Sequence, residues 1–169
     1  MATYVYIDAS NIIYGTRDEG WKVDFRKLFK YLSERYKARK IYYFAGIDGK
    51  NEKQKKFYKL LGRIGYNLVL KPVKIYNQPD GSKVRKANCD VDLTFYAMRD
   101  LLKYNKVIFF SGDGDFEILL KHILMLKKKL VVIANGKRTA REIKLLVNQN
   151  FIDLGSLRKI IEFKGNKKR

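Results

Sequence analysis

The sequence contains 169 residues, of which 46% are hydrophobic and 14% aromatic; this composition excludes a disordered chain and fits one globular domain. Its 37 lysines and arginines outnumber its 17 aspartates and glutamates, and the resulting net charge of +20 favours a polyanionic partner such as nucleic acid. The single cysteine, Cys89, and the single histidine, His122, exclude an internal disulfide and a zinc site built from several thiolates and imidazoles.

The first half of the chain alternates short apolar runs with segments whose apolar residues recur at helical spacing. The clearest helix follows Asp24, because Phe25, Leu28 and Leu32 fall on one face of it. The residues between the first apolar run and Asp24 are assigned to a loop. In chain order, the pattern predicts a strand at residues 4–7, a helix from residue 24, a strand at 40–46, a helix at 51–65 and an extended segment at 67–76.

The middle of the chain interrupts this alternation with a turn. Pro79, Asp80 and Gly81 are residues that favour tight turns, and extended segments flank them. We therefore expect residues 72–86 to form a hairpin-like excursion.

The second half of the chain returns to strands and helices in alternation. Thr139 and Glu142 have the spacing of a capping box, which predicts the start of a helix. In chain order, we expect a helix at residues 88–104, a strand at 106–112, a helix at 115–128, a strand at 129–135, a helix at 139–147, a short strand at 151–154 and a helix at 156–163.

The alternation of elements predicts the fold class. The strands are apolar throughout instead of alternating apolar and polar residues, which indicates a parallel sheet buried on both faces. The sequence therefore predicts a three-layer, doubly wound α/β domain with a mainly parallel sheet over residues 1–163, followed by a basic tail at residues 164–169. Ligands of such sheets bind at the carboxyl ends of the strands, beside the topological switch point.

Aspartates follow two of the predicted strands and begin one helix. Asp8 ends the first strand, Asp113 and Asp115 follow the strand at residues 106–112, and Asp90 and Asp92 begin the helix that leads into that strand. If these two strands are neighbours, the carboxylates meet at one edge of the sheet. Two carboxylates ~4 Å apart repel by about 4 kcal/mol at an effective dielectric of 20, so a cluster requires protonation or a cation. Mg²⁺ or Mn²⁺ suits a site made only of aspartates.

Three short motifs carry a resemblance to a known family. "DASN" at residues 8–11, "CDVDL" at 89–93 and "SGDGDF" at 111–116 resemble, in this order, the motifs of NYN domains, which belong to the PIN-like nuclease group. The resemblance covers nearly the whole chain and implies a Rossmann-like, PIN-like sheet. It also implies a metal-dependent ribonuclease that hydrolyses phosphodiester bonds, with RNA preferred over DNA.

The resemblance also implies roles for individual residues. By position, the acidic set that holds the metal and performs catalysis corresponds to Asp8, Asp90, Asp113 and Asp115. Asn11 corresponds to the polar partner of Asp8 or of the substrate, and Ser111 to a contact at the metal or phosphate. Asp92 is an additional metal-ligand candidate, and its spacing does not distinguish it from Asp90. The residues 148–150, where many relatives carry an acid, are Asn, Gln and Asn.

Cations and aromatic residues near the expected site are candidates for binding the substrate. The loop after the strand at residues 129–135 carries the first cationic group, and the hairpin carries the second. Both groups are expected to bind phosphates, and the tyrosines are expected to stack on bases. These candidates are Lys137, Arg138 and Arg141 in the loop, Arg85 and Lys86 with Lys74 and Lys83 in the hairpin, and the tyrosines Tyr14 and Tyr76.

Other functions compete with a ribonuclease. A domain of the same fold that binds nucleic acid without turnover is the main alternative. A metal site of the topoisomerase-primase type also uses two aspartates after a strand, but it generally has a glutamate where Asp8 stands. Dinucleotide binding is disfavoured because the first strand is not followed by a G-x-G-x-x-G turn, and a P-loop is likewise absent.

The remaining expectations concern partners and cellular location. An edge strand or the hairpin offers a surface for a homodimer. No apolar run approaches the ~20 residues of a membrane span, so we expect no membrane association. The N-terminal residues lack the basic segment and apolar stretch of a secretory signal, and the expected location is the cytoplasm.

Overall fold

The computed structural model describes residues 2–165, which form a six-stranded parallel sheet with helices on both faces. Two further strands, β4 and β5, form a separate antiparallel hairpin. The strands are β1 (Thr3–Asp8), β2 (Ala38–Ile47), β3 (Asn67–Pro72), β4 (Lys74–Asn77), β5 (Lys83–Lys86), β6 (Lys106–Phe110), β7 (Lys129–Ala134) and β8 (Phe151–Asp153). The helices are α1 (Ala9–Arg17), α2 (Phe25–Tyr36), α3 (Glu52–Ile64), α4 (Asp90–Arg99), α5 (Glu117–Met125), α6 (Arg141–Val147) and α7 (Arg158–Ile161).

The strand order in the main sheet is β3-β2-β1-β6-β7-β8, and all neighbours are parallel. The chain first builds outward from β1 to β3, and then returns across the sheet to place β6 on the other side of β1. The topological switch point therefore lies between β1 and β6. The predicted three-layer, mainly parallel α/β fold is confirmed, as is the hairpin near residues 72–86.

Two apolar clusters, one on each face of the sheet, form the core. Val5 and Ile7 of β1 pack with the helices α1, α2, α3 and α7, whereas Tyr4 and Tyr6 pack with α4, α5 and α6. Successive side chains of a strand point to opposite faces, so a central strand covered on both faces must be apolar at every position. This requirement explains the uninterrupted apolar runs of β1 and β6.

The prediction of a loop between the first strand and Asp24 is wrong for its first part. The helix α1 begins directly after β1, and the Asp8 carboxylate caps it by accepting a hydrogen bond from the backbone N–H of Ser10 (3.1 Å). Ile12 and Thr16 are buried on the inner face of α1. The sequence does contain a signal for this helix, namely an aspartate followed by apolar residues at helical spacing.

The capping box predicted from Thr139 and Glu142 is also wrong. The hydroxyl of Thr139 is buried and donates to the carbonyl oxygen of Asn135 (2.7 Å), and α6 begins at Arg141 with Ala140 as its N-cap. The hydroxyl therefore closes the preceding loop instead of capping the helix.

Several predicted helices are shorter in the structure. The segment at residues 88–104 is helical only over α4, and residues 100–103 continue as turns. The last helix is a 3-10 helix (Leu154–Leu157) followed by α7, and another 3-10 helix (Gly114–Phe116) precedes α5. Residues 166–169 of the expected basic tail lie outside the described residues. Within residues 2–165, no helix combines the length and apolar character that crossing a bilayer requires.

The packing of α5 predicts the effect of one core substitution. Leu120 is fully buried between α5 and the sheet, so Leu120→Ala is expected to lower the free energy of unfolding by about 2–5 kcal/mol in urea titrations. Ile118 lies on the same helix but is 79% exposed, and Ile118→Ala should change the free energy by less than about 0.5 kcal/mol. Equal effects of the two variants would contradict the observed orientation of α5.

Candidate functional site

The pairing of β1 with β6 brings the ends of these strands together at the carboxyl edge of the sheet. Ile7 pairs with Phe110, so Asp8 and Ser111 follow at the same level. The buried Ser111 hydroxyl donates to the Asp8 carboxylate at 3.2 Å. The same carboxylate also accepts hydrogen bonds from the backbone N–H groups of Ser10 and Asn11. Asp8 therefore lies beside the turn after β6, at the switch point of the sheet.

Three other aspartates form a carboxylate cluster at this edge. Asp90 lies in the first turn of α4, and Asp113 and Asp115 lie in the turn after β6. One carboxylate oxygen from each of these residues lies within 4.8 Å of the others. Asp113 also shapes the turn, because its carboxylate accepts from the N–H of Asp115 at 3.0 Å. The cluster offers oxygen ligands only, which matches the preference of Mg²⁺ and Mn²⁺.

The electrostatics of the site disfavour negative charge in the absence of a cation. Burial, followed by the nearby charge of Asp90, raises the pKa of Asp8 to about 6, although hydrogen bonds from Asn11, Ser111 and Ser10 act in the opposite direction. Burial also raises the pKa of Asp90, and the charges of Asp113 and Asp115 add to this effect. A bound divalent cation would remove this repulsion.

Asp92 does not join the carboxylate cluster. Its carboxylate forms an ion pair with the ammonium group of Lys71 on β3 at 2.8 Å, and this contact raises the pKa of Lys71. Asp90 and Asp92 are both in the first turn of α4, yet only Asp90 lies against the turn after β6. The neighbouring Cys89 is half-buried; burial and adjacent carboxylates raise the pKa of its thiol to about 11, so the thiol stays protonated at neutral pH.

The turn after β6 packs tightly on the start of α6. A Cβ atom at Gly112 would lie 2.9 Å from the Cα atom of Thr139. A Cβ atom at Gly114 would lie 3.3 Å from the Cβ atom of Ala140 and would also collide with the carboxylate of Glu142. Neither glycine has a positive φ, so backbone conformation does not require a glycine; at position 112 the close approach to the Thr139 backbone does. Glu142 is a carboxylate near the site whose position the sequence did not reveal.

The cations expected to bind phosphates lie around this edge, and two of them form ion pairs. Arg138 pairs with Asp18 of the segment after α1, and Arg85 of the hairpin pairs with Asp48 at 2.6 Å. Lys137, Arg141 and Lys86 are exposed, and Arg141 is the first residue of α6. Exposed ion pairs contribute little to stability, so a phosphate can replace the carboxylate partner at low cost.

Two guanidinium groups lie close to the exposed ring of Tyr14. The guanidinium carbon of Arg17 is 4.6 Å from the ring centre, and that of Arg138 is 5.7 Å from it. Asn135, which no sequence motif singled out, fixes the loop that carries Arg138. Its buried side-chain amide donates to the carbonyl oxygen of Gly15 and accepts from the backbone N–H groups of Lys137 and Arg138.

Comparisons with known proteins agree with this architecture. The family model described as "NYN domain" matches residues 2–155. The curated protein "Low amplitude and bright protein LabA" from Synechococcus elongatus is 26% identical over 162 residues, which cover 94% of this chain and 86% of that protein. A crystal structure of a protein of unknown function from Vibrio parahaemolyticus has a TM-score of 0.76 and 24% identity, covering 90% of this chain and 92% of that one. This last likeness supports the fold alone.

The close approach at Gly112 predicts a costly substitution. Gly112→Ala places a methyl group against the backbone of Thr139 and is expected to lower the free energy of unfolding by about 1–3 kcal/mol in urea titrations. Gly49 lies in an exposed turn where an added methyl group would have no atom within 4 Å, and Gly49→Ala should leave the free energy unchanged or slightly raised. A similar loss for both variants would contradict the tight packing of the turn.

The raised pKa of Asp8 predicts a pH-dependent effect. Between about pH 4 and pH 6, the folded state retains a proton on Asp8 that the unfolded state has lost, so this residue lowers stability as the pH rises through that window. Asp8→Asn removes the charge and keeps an N-cap residue. In chelator, the variant should gain at most about 3 kcal/mol of unfolding free energy at pH 8 and little at pH 4. Urea titrations at both pH values test this, and an equal effect at both would contradict it.

Proposed function

The chain belongs to the NYN domain family, and from this premise we propose that it is a metal-dependent ribonuclease that hydrolyses phosphodiester bonds of RNA. The observation that carries the proposal is the carboxylate cluster of Asp90, Asp113 and Asp115 beside Asp8, on a chain with a net charge of +20. Acidic oxygens gathered within 4.8 Å fit a divalent cation, and a basic protein attracts a polyanion. The choice of RNA over DNA rests on the family.

The donor set of the site fits Mg²⁺ or Mn²⁺. In this proposal Asp90, Asp113 and Asp115 hold the ion, and Asp92 does not because Lys71 neutralises it. An ion of this kind supplies an activated water for in-line attack and neutralises charge on the leaving oxygen. The pKa values of Asp8 and Asp90 are raised, so the protein by itself disfavours their negative charge, and cation binding would relieve this cost.

Other residues of the chain position the acids and the substrate. Ser111 and the backbone N–H of Asn11 hold the Asp8 carboxylate at the switch point, where it can accept a hydrogen bond from a water molecule near the cluster. The exposed cations on either side of the site are proposed to bind phosphates that flank the scissile bond. These cations are Lys137, Arg138 and Arg141 at the start of α6, and Arg85 and Lys86 on the hairpin. Tyr14 is proposed to contact the substrate next to Arg138.

Substitution of single aspartates tests the proposal. Asp113→Asn and Asp90→Asn should each reduce cleavage of labelled single-stranded RNA in Mn²⁺ or Mg²⁺ by at least about 100-fold, because each removes a negatively charged oxygen from the metal centre. A chelator should abolish cleavage by the unmodified protein.

The matched control is Asp92→Asn. Asp92 lies in the same helical turn as Asp90, but its carboxylate is paired with Lys71. This variant should retain cleavage within a few-fold of the unmodified protein. If the protein binds RNA but no metal supports cleavage, the alternative of a nucleic-acid-binding domain without turnover replaces the ribonuclease. If Asp92→Asn and Asp90→Asn are equally inactive, the assignment of the ligands is wrong.

A further inference from the structure

A groove next to the carboxylate cluster is not used by the proposed mechanism. It has a volume of about 400 Å³ and opens between the first turns of α4 and the 3-10 helix that follows β6. Its lining consists of two acids of the cluster and four further side chains: Asp90, Asp115, Val91, Thr94, Phe95 and Phe116. Because Asp90 and Asp115 belong to both features, the groove is continuous with the candidate metal centre.

The aromatic residues of the groove differ in exposure. Phe116 is buried and packs edge-on against Phe109 with ring centres 5.0 Å apart, so it forms a fixed floor. Phe95 is 59% exposed, and Val91, one helical turn earlier, is 77% exposed. Phe95 and Val91 therefore present an apolar surface beside the carboxylate cluster that is available to a ligand.

The chemistry of the lining restricts the ligand. No cation lines the groove among the described residues, and two carboxylates do, so an anionic phosphate is disfavoured inside it. A nucleobase is neutral and has a flat apolar face, which suits Phe95 and Val91. Its ring N–H or exocyclic amino group donates a hydrogen bond, which suits the carboxylates and the hydroxyl of Thr94.

We propose that this groove binds one unpaired base of the RNA, stacked on Phe95, while the adjoining phosphate lies at the carboxylate cluster. This inference rests on the proposed function and adds a subsite for one base beside the cleavage site. A base in a duplex is already stacked and paired, and it has to leave the helix before it can enter the groove. The groove therefore favours single strands.

Phe95 suits stacking better than the tyrosine singled out in the sequence. The ring of Tyr14 already has the guanidinium groups of Arg17 and Arg138 within 6 Å of its centre, so a base stacking there competes with these cations. Phe95 contacts the ring of Tyr96 in an edge-on arrangement with ring centres 5.9 Å apart. The exposed side of Phe95 needs no rearrangement to receive a base.

Binding of RNA with and without bases tests the inference. The probes are a labelled oligo-uridine and an oligomer of the same length whose nucleotides lack bases, titrated in Ca²⁺ with fluorescence anisotropy. Phe95→Ala should weaken binding of oligo-uridine by about 5- to 100-fold and leave binding of the abasic oligomer unchanged. Phe95→Trp, which retains a stacking surface, should bind oligo-uridine as tightly as the unmodified protein.

Phe163→Ala is the matched control, because Phe163 is 56% exposed and follows α7 in the opposite helical layer. This variant should bind both oligomers normally, and thermal unfolding should show that every variant is folded. The inference is overturned if Phe95→Ala binds oligo-uridine normally, or if it loses the same affinity for both oligomers.

The experiment separates this inference from the proposed ribonuclease. If the groove assignment alone is wrong, metal-dependent cleavage persists, and Phe95→Ala cleaves single strands and duplexes at the same rates as the unmodified protein. If the ribonuclease proposal alone is wrong, no metal supports cleavage, but the base-dependent loss of binding in Phe95→Ala remains measurable.

Discussion

The central constraint on the candidate site is electrostatic: the fold holds several carboxylates close together, and they repel one another. The parallel pairing of β1 with β6 fixes Asp8 beside Ser111, and the crossover through α4 delivers Asp90 to Asp113 and Asp115. Hydrogen bonds from Ser111 and two backbone N–H groups offset part of the cost at Asp8, yet its pKa remains raised. The two apolar clusters that cover both faces of the sheet stabilise this arrangement, because the strands cannot move apart without exposing them.

The fold was predictable from the sequence because burial on both faces leaves a strong signal. β1 and β6 are apolar at nearly every position, and only a parallel sheet with helices on both sides requires this. The boundaries of α1 and α6 were harder to predict from the sequence. Asp8 caps α1 and also lies beside the carboxylate cluster, and the spacing of Thr139 and Glu142 does not distinguish a hydroxyl that caps a helix from one that closes a loop.

The meeting of aspartates at this edge of the sheet was predictable from the sequence, but the choice between Asp90 and Asp92 was not. Spacing places Asp90 and Asp92 in the same helical turn, and their difference arises from Lys71, which lies on a strand that precedes the hairpin. Likewise, Arg85 and Arg138 were identified by charge, whereas their pairing with Asp48 and Asp18 depends on how the hairpin and α1 fold back. No motif of the sequence singles out Phe95, and its position beside the carboxylate cluster becomes visible only when α4 is placed on the sheet.

The contact of Gly112 and Gly114 with the start of α6 joins two parts of the site that are separate in sequence. The turn that carries Asp113 and Asp115 rests directly on Thr139, Ala140 and Glu142, and these residues lie next to the exposed cations of the same loop. A larger side chain at position 112 would push this turn away from Thr139 and so change the separation between the acids and the cations.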